Sequence, residues 1–367
     1  MSETSAEKQD AFTQKMIDIL NGGALNLAVG IGYRTGLFDI METFDTAQTI
    51  SVISEHSGLS ARYIREWLGI MITGEIVEVI QEQESRENKY FLPKEHAAIL
   101  TRSSGNSNLA VYAQEIPLLT LSAMEPVIHG FQTGDGVPYS CYPKFQAFMT
   151  ELADAKHREV LVDKFLPTVD DGNLISRLNT GIRVCDLGCG EGVASLLMAE
   201  AFPKSTFVGM DISSEVIEIA KKEADYMGLK NIEFIVRDAA MLKNDPEFEG
   251  YFDYITAFDS IHDQTAPLPA LQGIRHMLAP GGMFSMIDIA AKTDQAENKS
   301  HPMGPFLYTV SLMHCMPVGL ANRGTGLGMM WGEEKAVEML KEAGFEKVEV
   351  IEMEHDTFNL HYLCRKS

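Results

Sequence analysis

The sequence has 367 residues, 45% of them hydrophobic, and sets 30 Lys+Arg against 52 Asp+Glu for a formal charge of −22. At roughly 100–200 residues per domain this predicts two packed domains, and acidic residues spread over both halves leave no cationic surface for nucleic acid or an anionic membrane. The five cysteines (Cys141, Cys185, Cys189, Cys315, Cys364) are odd in number and scattered, which predicts reduced thiols in a cytoplasm, and Met1-Ser2-Glu3-Thr4-Ser5 opens without the basic run and apolar core of a secretory signal.

Residues 11–32 show helical apolar spacing and lead into Tyr33-Arg34-Thr35-Gly36-Leu37-Phe38. The stretch TAQTISVISEHSGLSARYIREWLGIMITGEIVEVI divides at Gly58 into a short helix and a longer one starting near Ser60. Two β-like runs, Ile76–Ile80 and Tyr90–Leu92, flank the polar loop QEQESRENK. Helix, glycine turn, helix and hairpin make a winged-helix pattern. Its second helix offers only Arg62 and Arg65, with Glu66 beside them, so dimer contact or roofing of a pocket is expected rather than DNA reading. Residues 95–180 read as further helices, with a Gly-, Pro- and Tyr-rich loop over Gly130–Tyr142. From Ile182 short apolar runs (Ile182–Leu187, Thr206–Met210, Ile232–Val236, Phe252–Phe258, Met283–Ile289) alternate with helical segments, as in a parallel α/β sheet. Ser300–Asn322 carries no Lys, Arg, Asp or Glu. Pro302, Pro305, Pro317, His301 and His314 interrupt it, so it reads as a buried or pocket-lining helix and not a membrane span.

The first strand ends in Asp186-Leu187-Gly188-Cys189-Gly190-Glu191-Gly192 and runs straight into a helix. The glycines allow a sharp turn and a close backbone approach at the carboxyl edge of the sheet, where such folds bind ligands. A nicotinamide fingerprint needs a further glycine at Val193, and Asp186 in front of the turn would repel a pyrophosphate while suiting an ammonium or sulfonium. The second strand ends at Asp211, placed to accept ribose hydroxyls, followed by Ile212. The third ends in Arg237-Asp238-Ala239, where Asp238 can accept an adenine amino proton, and the fourth in Phe258-Asp259-Ser260, again bordering the ligand. Cys185 and Cys189, with Cys364 far away, lack the spacing of a metal set and read as core, so no metal is expected.

These ordered motifs, with Leu278-Ala279-Pro280-Gly281-Gly282 before the fifth strand, resemble the class I S-adenosylmethionine-dependent methyltransferases. The resemblance implies a Rossmann-like α/β domain of seven strands, the last reversed at Thr357–Cys364, behind a mostly helical winged-helix-like domain. It implies that the positions of Gly188 and Gly190 pass close to the methionine end of S-adenosylmethionine, and that Asp211 and Asp238 hold ribose and adenine. With the neighbouring turn positions, the expected cofactor set is Asp186, Gly188, Cys189, Gly190, Asp211, Ile212, Asp238, Ala239, Phe258 and Asp259. The expected boundaries are 1–100 for the dimerisation domain, 101–178 for a helical linker and pocket roof, and 179–367 for the methyltransferase domain, with a lid insertion at 293–330.

After the fourth strand comes His262-Asp263. A neutral imidazole there can take a proton from an acceptor near pH 7, and an adjacent Asp or a partner acid can orient it. The chain is similar to small-molecule O-methyltransferases with an N-terminal winged-helix dimerisation domain, which carry a His-Asp pair at this place with the His as general base. Gln264 follows where plant-type members have Trp, which departs from their phenol pattern. The uncharged helix of the insertion, PFLYTVSLMHCMPVGLA, suggests a dry pocket, with Tyr308, His314 and Cys315, and Tyr33 from the N-terminal helices, as polar groups toward a small-molecule acceptor. A homodimer formed through the N-terminal domain is expected. Thiol or nitrogen acceptors needing no base remain open, as does a winged-helix regulator that senses S-adenosylmethionine.

Overall fold

The computed structural model describes residues 4–81, 87–142 and 144–367; the middle of the polar hairpin loop, residues 82–86, and the first three residues of the N-terminal stretch lie outside it. The chain divides into two units between Pro117 and Leu118. The segment 101–178, expected as one linker, is therefore shared between them.

In the first unit Thr4 and Glu7 cap helix Ser5–Arg34 reciprocally, each side chain accepting from the other's backbone amide, which satisfies two orphan donors. Helix Ile50–Ser57 stops at Gly58 in the left-handed region (φ 68). Helix Ala61–Thr73 then buries Ile64, Trp67, Leu68 and Met71, spaced to fall on one helical face. The Trp67 indole donates to the Ala28 carbonyl at 2.9 Å. Strands β1 (Glu78–Gln81) and β2 (Asn88–Phe91) pair antiparallel as the wing. The first strand starts later than expected because the amides of Ile76 and Val77 turn back to the Met71 carbonyl and finish the helix.

The second unit is built on a sheet of seven strands: β3 (Arg183–Leu187), β4 (Thr206–Asp211), β5 (Ile232–Val236), β6 (Phe252–Phe258), β7 (Leu278–Ile289), β8 (Val348–Met353) and β9 (Asp356–Arg365), in the order β5-β4-β3-β6-β7-β9-β8. All pairings are parallel except those of β9, which runs against β7 and β8. This is the Rossmann-like arrangement with a reversed last strand. The chain goes one way from β3 to β5 and returns to lay β6 on the other side of β3, so the crevice for a ligand opens at the carboxyl ends of β3 and β6. The Leu278-Ala279-Pro280-Gly281-Gly282 turn is drawn into the start of β7, where its pairing with β6 is irregular between Phe252 and Tyr254.

The insertion after β7 forms helix Gly304–Val310, a π-helical turn Ser311–Cys315 and helix Met316–Leu320. Residues of the Gly130–Tyr142 loop hold it: the Val137 amide donates to the Pro317 carbonyl at 2.9 Å and the Tyr142 hydroxyl to the Met313 carbonyl at 2.7 Å. No helix among the described residues is long and apolar enough to cross a membrane.

Gly192 starts the helix after β3 at φ 81, and a Cβ there would stand 2.5 Å from the Phe234 ring. Gly192→Ala is expected to cost about 1–3 kcal/mol from backbone strain and overpacking. Gly69, inside helix Ala61–Thr73 with nothing within 4 Å of a Cβ, is the control. Gly69→Ala should gain about 0.5–1 kcal/mol. Urea unfolding of both variants checks the opposite signs.

Candidate active site

Backbone geometry comes first. After β3, Gly188, Gly190 and Gly192 all adopt positive φ (73, 54 and 81). The amides of Gly188 and Cys189 both donate to the Met210 carbonyl at the end of β4. A Cβ on Gly188 would lie 2.6 Å from Ser260, so the turn sits directly against the chain leaving β6. Gly190 differs: nothing lies within 4 Å of a Cβ there, so its backbone borders open space.

Acids surround this turn. Asp186 is buried, and its carboxylate accepts from Ser195 Oγ at 2.6 Å and Thr256 Oγ1 at 3.1 Å. Both its oxygens are thus engaged inside the fold, tying β3 to the following helix and to β6. Burial raises its pKa to about 6, against the opposing pull of those two hydroxyls. Asp211 accepts from the Gly190 amide at 3.0 Å and the Ser213 amide at 2.9 Å; burial raises it and the amides oppose the rise. Ile212 beside it is 69% exposed. Arg237 N donates to Asp211 O, so Asp238 follows at the next strand end. Asp238 is exposed and accepts from the Ala240 amide at 2.9 Å, capping a turn that buries Ala239. Cys189 is half-buried, and burial pushes its thiol up.

At the end of β6 the Phe258 ring packs edge-on against His157 and Phe165. Asp259 has φ 46, accepts from Asn359 Nδ2 at 3.0 Å and leaves Oδ1 buried without a partner. Burial raises its pKa to about 6, with Lys156 opposing. His262 is 3% exposed and hydrogen-bonds through Nδ1 to Asp288 Oδ1 of β7 at 2.7 Å. Its Nε2 faces Asp263 Oδ1 at 3.5 Å. Burial alone would lower this imidazole, but Asp288, Asp263 and Cys315 outweigh it and hold the pKa well above its ordinary value.

Of the two expected sources of an orienting acid, the short bond comes from a partner acid: Asp288, and not the adjacent Asp263, is bonded at Nδ1, and Nε2 is the ring atom that points toward Asp263. His314 and Cys315 arrive on the π-helical turn beside them. His314 Nδ1 lies 3.8 Å from Asp263 Oδ2 and 3.6 Å from Cys315 Sγ. Its ring packs on Tyr142 and Phe145, and burial lowers its pKa.

Two expected acceptor residues, Tyr308 and Tyr33, make contacts within their own units. Tyr308 accepts from Asn298 Nδ2 at 3.0 Å, an interaction that ties down the loop following β7. Tyr33 is buried in the first unit beneath the Arg102 guanidinium, 4.1 Å from its ring centroid.

Residues 178–354 match a family model described as a methyltransferase domain, and residues 23–102 match an Rv2258c-like winged HTH domain. The demethylmenaquinone methyltransferase of Lactococcus lactis subsp. lactis is 32% identical over 115 residues, a match that spans 31% of this chain and 44% of that relative. That of Listeria monocytogenes serotype 4a is 24% identical over 245 residues, 59% of this chain and 99% of its own. The fold is that of human N-acetylserotonin methyltransferase, solved in complex with SAM (TM-score 0.64, 17% identity, covering 100% of this chain and 99% of that one). It is likewise that of the mitomycin 7-O-methyltransferase MmcR (TM-score 0.65, 16% identity, 98% and 100%).

Asp186 generates a pH prediction. A buried acid with a raised pKa binds its proton more tightly folded than unfolded, so its favourable contribution is complete below about 4 and is lost as pH rises toward about 6. Asp186→Asn removes that dependence. Relative to the variant, the wild type should lose about 2–3 kcal/mol of stability between pH 4 and 7, read from urea midpoints across that range.

Proposed function

From a chain that sets a methyltransferase domain behind a winged helix-turn-helix domain, we propose an S-adenosylmethionine-dependent enzyme that methylates an oxygen or sulfur of a small acceptor, with His262 as general base. The observation that carries this reading is the 2.7 Å bond from His262 to Asp288, made two residues beyond Ser260, where the chain packs against the Gly188 turn. With Nδ1–H donated to a buried carboxylate, Nε2 is the atom that must shed its proton before it can take the acceptor's, and the raised pKa of the ring places that base-competent form toward alkaline pH.

The residues present fit the cofactor. Gly190 leaves a cradle that a side chain would fill, and the raised pKa values of Asp186, Asp211 and Asp259 mark a site that gains from a cation. S-adenosylmethionine supplies there a methyl group on a positively charged sulfur. Asp211 takes the ribose hydroxyls and Asp238 the adenine amino group. Asp186 acts one step back, bracing the turn. The uncharged stretch Ser300–Asn322 of the insertion excludes water, so that the acceptor is held in line and desolvated. A thiol acceptor depends less on the base, because part of it is already thiolate at neutral pH.

The regulator reading is disfavoured by the second winged-helix segment, where Arg62 is ion-paired with Glu66. The five unpaired cysteines support a reducing, cytoplasmic setting. A homodimer through the first unit is supported by apolar side chains left in solvent on helix Ser5–Arg34, with Phe12 62% and Leu20 70% exposed.

His262→Ala should lower kcat about 10²–10⁴-fold on a hydroxyl acceptor while S-adenosylhomocysteine still binds. Asp288→Asn should lower it less, and both losses should shrink with a thiol; unchanged turnover in His262→Ala contradicts the base. Asp211→Ala should weaken S-adenosylhomocysteine about 10–100-fold, from about 1.5–3 kcal/mol for hydrogen bonds to a charged group, as measured by calorimetry. Phe12→Glu with Leu20→Glu should convert a dimer to a monomer in light scattering.

A further inference from the structure

Four side chains converge where the loop after β6 meets the π-helical turn of the insertion: His262, Asp263, His314 and Cys315. One ligand atom from each of His262, Asp263 and Cys315 lies within 4.8 Å of the others. His262, His314 and Cys315 are 3–4% exposed. The N···O separations, 3.5 Å from His262 Nε2 to Asp263 Oδ1 and 3.8 Å from His314 Nδ1 to Asp263 Oδ2, lie at or beyond the limit of a hydrogen bond. Asp263 Oδ1 is accordingly buried without a partner; His314 Nε2, the ring atom other than the one beside Asp263 and Cys315, is also buried without one.

Those spacings have the length of the edges of a coordination tetrahedron, with one histidine facing each oxygen of Asp263. Bonds of about 2.0–2.3 Å from a zinc-class ion to N, O and S place neighbouring ligand atoms about 3.3–3.8 Å apart. A nitrogen and a thiolate fall near 3.6 Å, the separation found between His314 Nδ1 and Cys315 Sγ. The outer shell fits as well. Metal-bound histidines donate their second ring N–H to a carboxylate, and His262 Nδ1 is bonded to Asp288 at 2.7 Å. Local backbone makes the set possible, since the wider π turn Ser311–Cys315 brings two consecutive side chains to one cluster, a feature associated with functional positions.

We propose that His262, Asp263, His314 and Cys315 form a binding site for a divalent, zinc-class cation. Two neutral imidazoles, one carboxylate and one thiolate leave the loaded site without net charge, which a buried position requires. Binding releases the thiol proton and the Nε2 proton of His262 to solvent and forms bonds from the ion to Nε2 of His262, a carboxylate oxygen, Nδ1 of His314 and Sγ, with no change of oxidation state. The ion takes the same Nε2 lone pair that would accept a proton from a hydroxyl acceptor. The metal-loaded and base-competent forms are therefore alternatives, and a zinc-class ion switches the base off.

The test uses the full chain, stripped with EDTA and then exposed to Zn²⁺ or Co²⁺. One ion per chain should survive gel filtration by elemental analysis. The Co²⁺ form should show a thiolate charge-transfer band and the intense visible bands of a tetrahedral ion. Cys315→Ser should abolish the charge-transfer band, and His314→Asn should weaken Zn²⁺ more than about 10-fold. If a variant fails to fold, the wild-type cobalt spectrum decides alone. A wild type that retains no ion, or a cobalt spectrum without a thiolate band, overturns the site. Methyl transfer assayed in EDTA separates this inference from the preceding one: turnover without metal binding sinks the cation site alone, and one retained ion with no turnover in either form sinks the base alone.

Discussion

Carboxylates that strand topology brings to one edge of a sheet lose their hydration as they are buried, and the second unit is organised around containing that loss with donors of its own. Asp186, Asp211, Asp259 and Asp288 all stand at or near strand carboxyl ends, at or beside the crevice between β3 and β6. Each is held by donors from a different element: Ser195 and Thr256, two turn amides, Asn359, and His262. Hydrogen bonds to a charged group are worth about 1.5–3 kcal/mol each, and burial consumes much of that. The raised pKa values of Asp186, Asp211 and Asp259 record the balance. A cation placed in the crevice relieves it, which is why a sulfonium-bearing cofactor suits this edge and a pyrophosphate does not.

The same containment explains the two faces of His262. Its Nδ1 side is fixed by Asp288 within the sheet, and its Nε2 side opens on Asp263, His314 and Cys315 of the loop and insertion. A ring so held has one lone pair to offer. The proposed base and the proposed cation site both draw on that nitrogen, and the insertion places a thiol and a second imidazole beside it. The insertion is in turn seated by Tyr142 and Val137 through its own carbonyls, so the geometry at His262 depends on a loop far away in sequence.

Much of this was legible in the sequence because the signals are local. Short apolar runs gave β5 and β6 their limits, Gly58 and Ser60 marked the winged-helix turn, and the glycines after Asp186 announced the sharp turn that leaves β3. What stayed hidden depends on pairing across strands. Asp288 lies inside the apolar run Met283–Ile289, and only the register of β7 beside β6 brings it to His262. A lone acid in a buried strand demands a partner, and that signal was available. Asp263 drew attention by adjacency, although its side chain meets the other ring nitrogen. The strand β8 escaped notice because its mixed charged and apolar residues read as surface, as befits a sheet edge. Asp186 was rightly placed at the turn, but its hydroxyl partners Ser195 and Thr256 carry no pattern of their own.

The most direct test of the account is a crystal structure of the protein with S-adenosylhomocysteine. The account predicts the ligand across the Gly188–Gly192 turn, its ribose hydroxyls on the Asp211 carboxylate, its sulfur directed to the His262 side of the crevice, and Asp186 still bonded to Ser195 and Thr256. A ligand bound elsewhere, or one in the crevice with its sulfur turned away from His262, would contradict it.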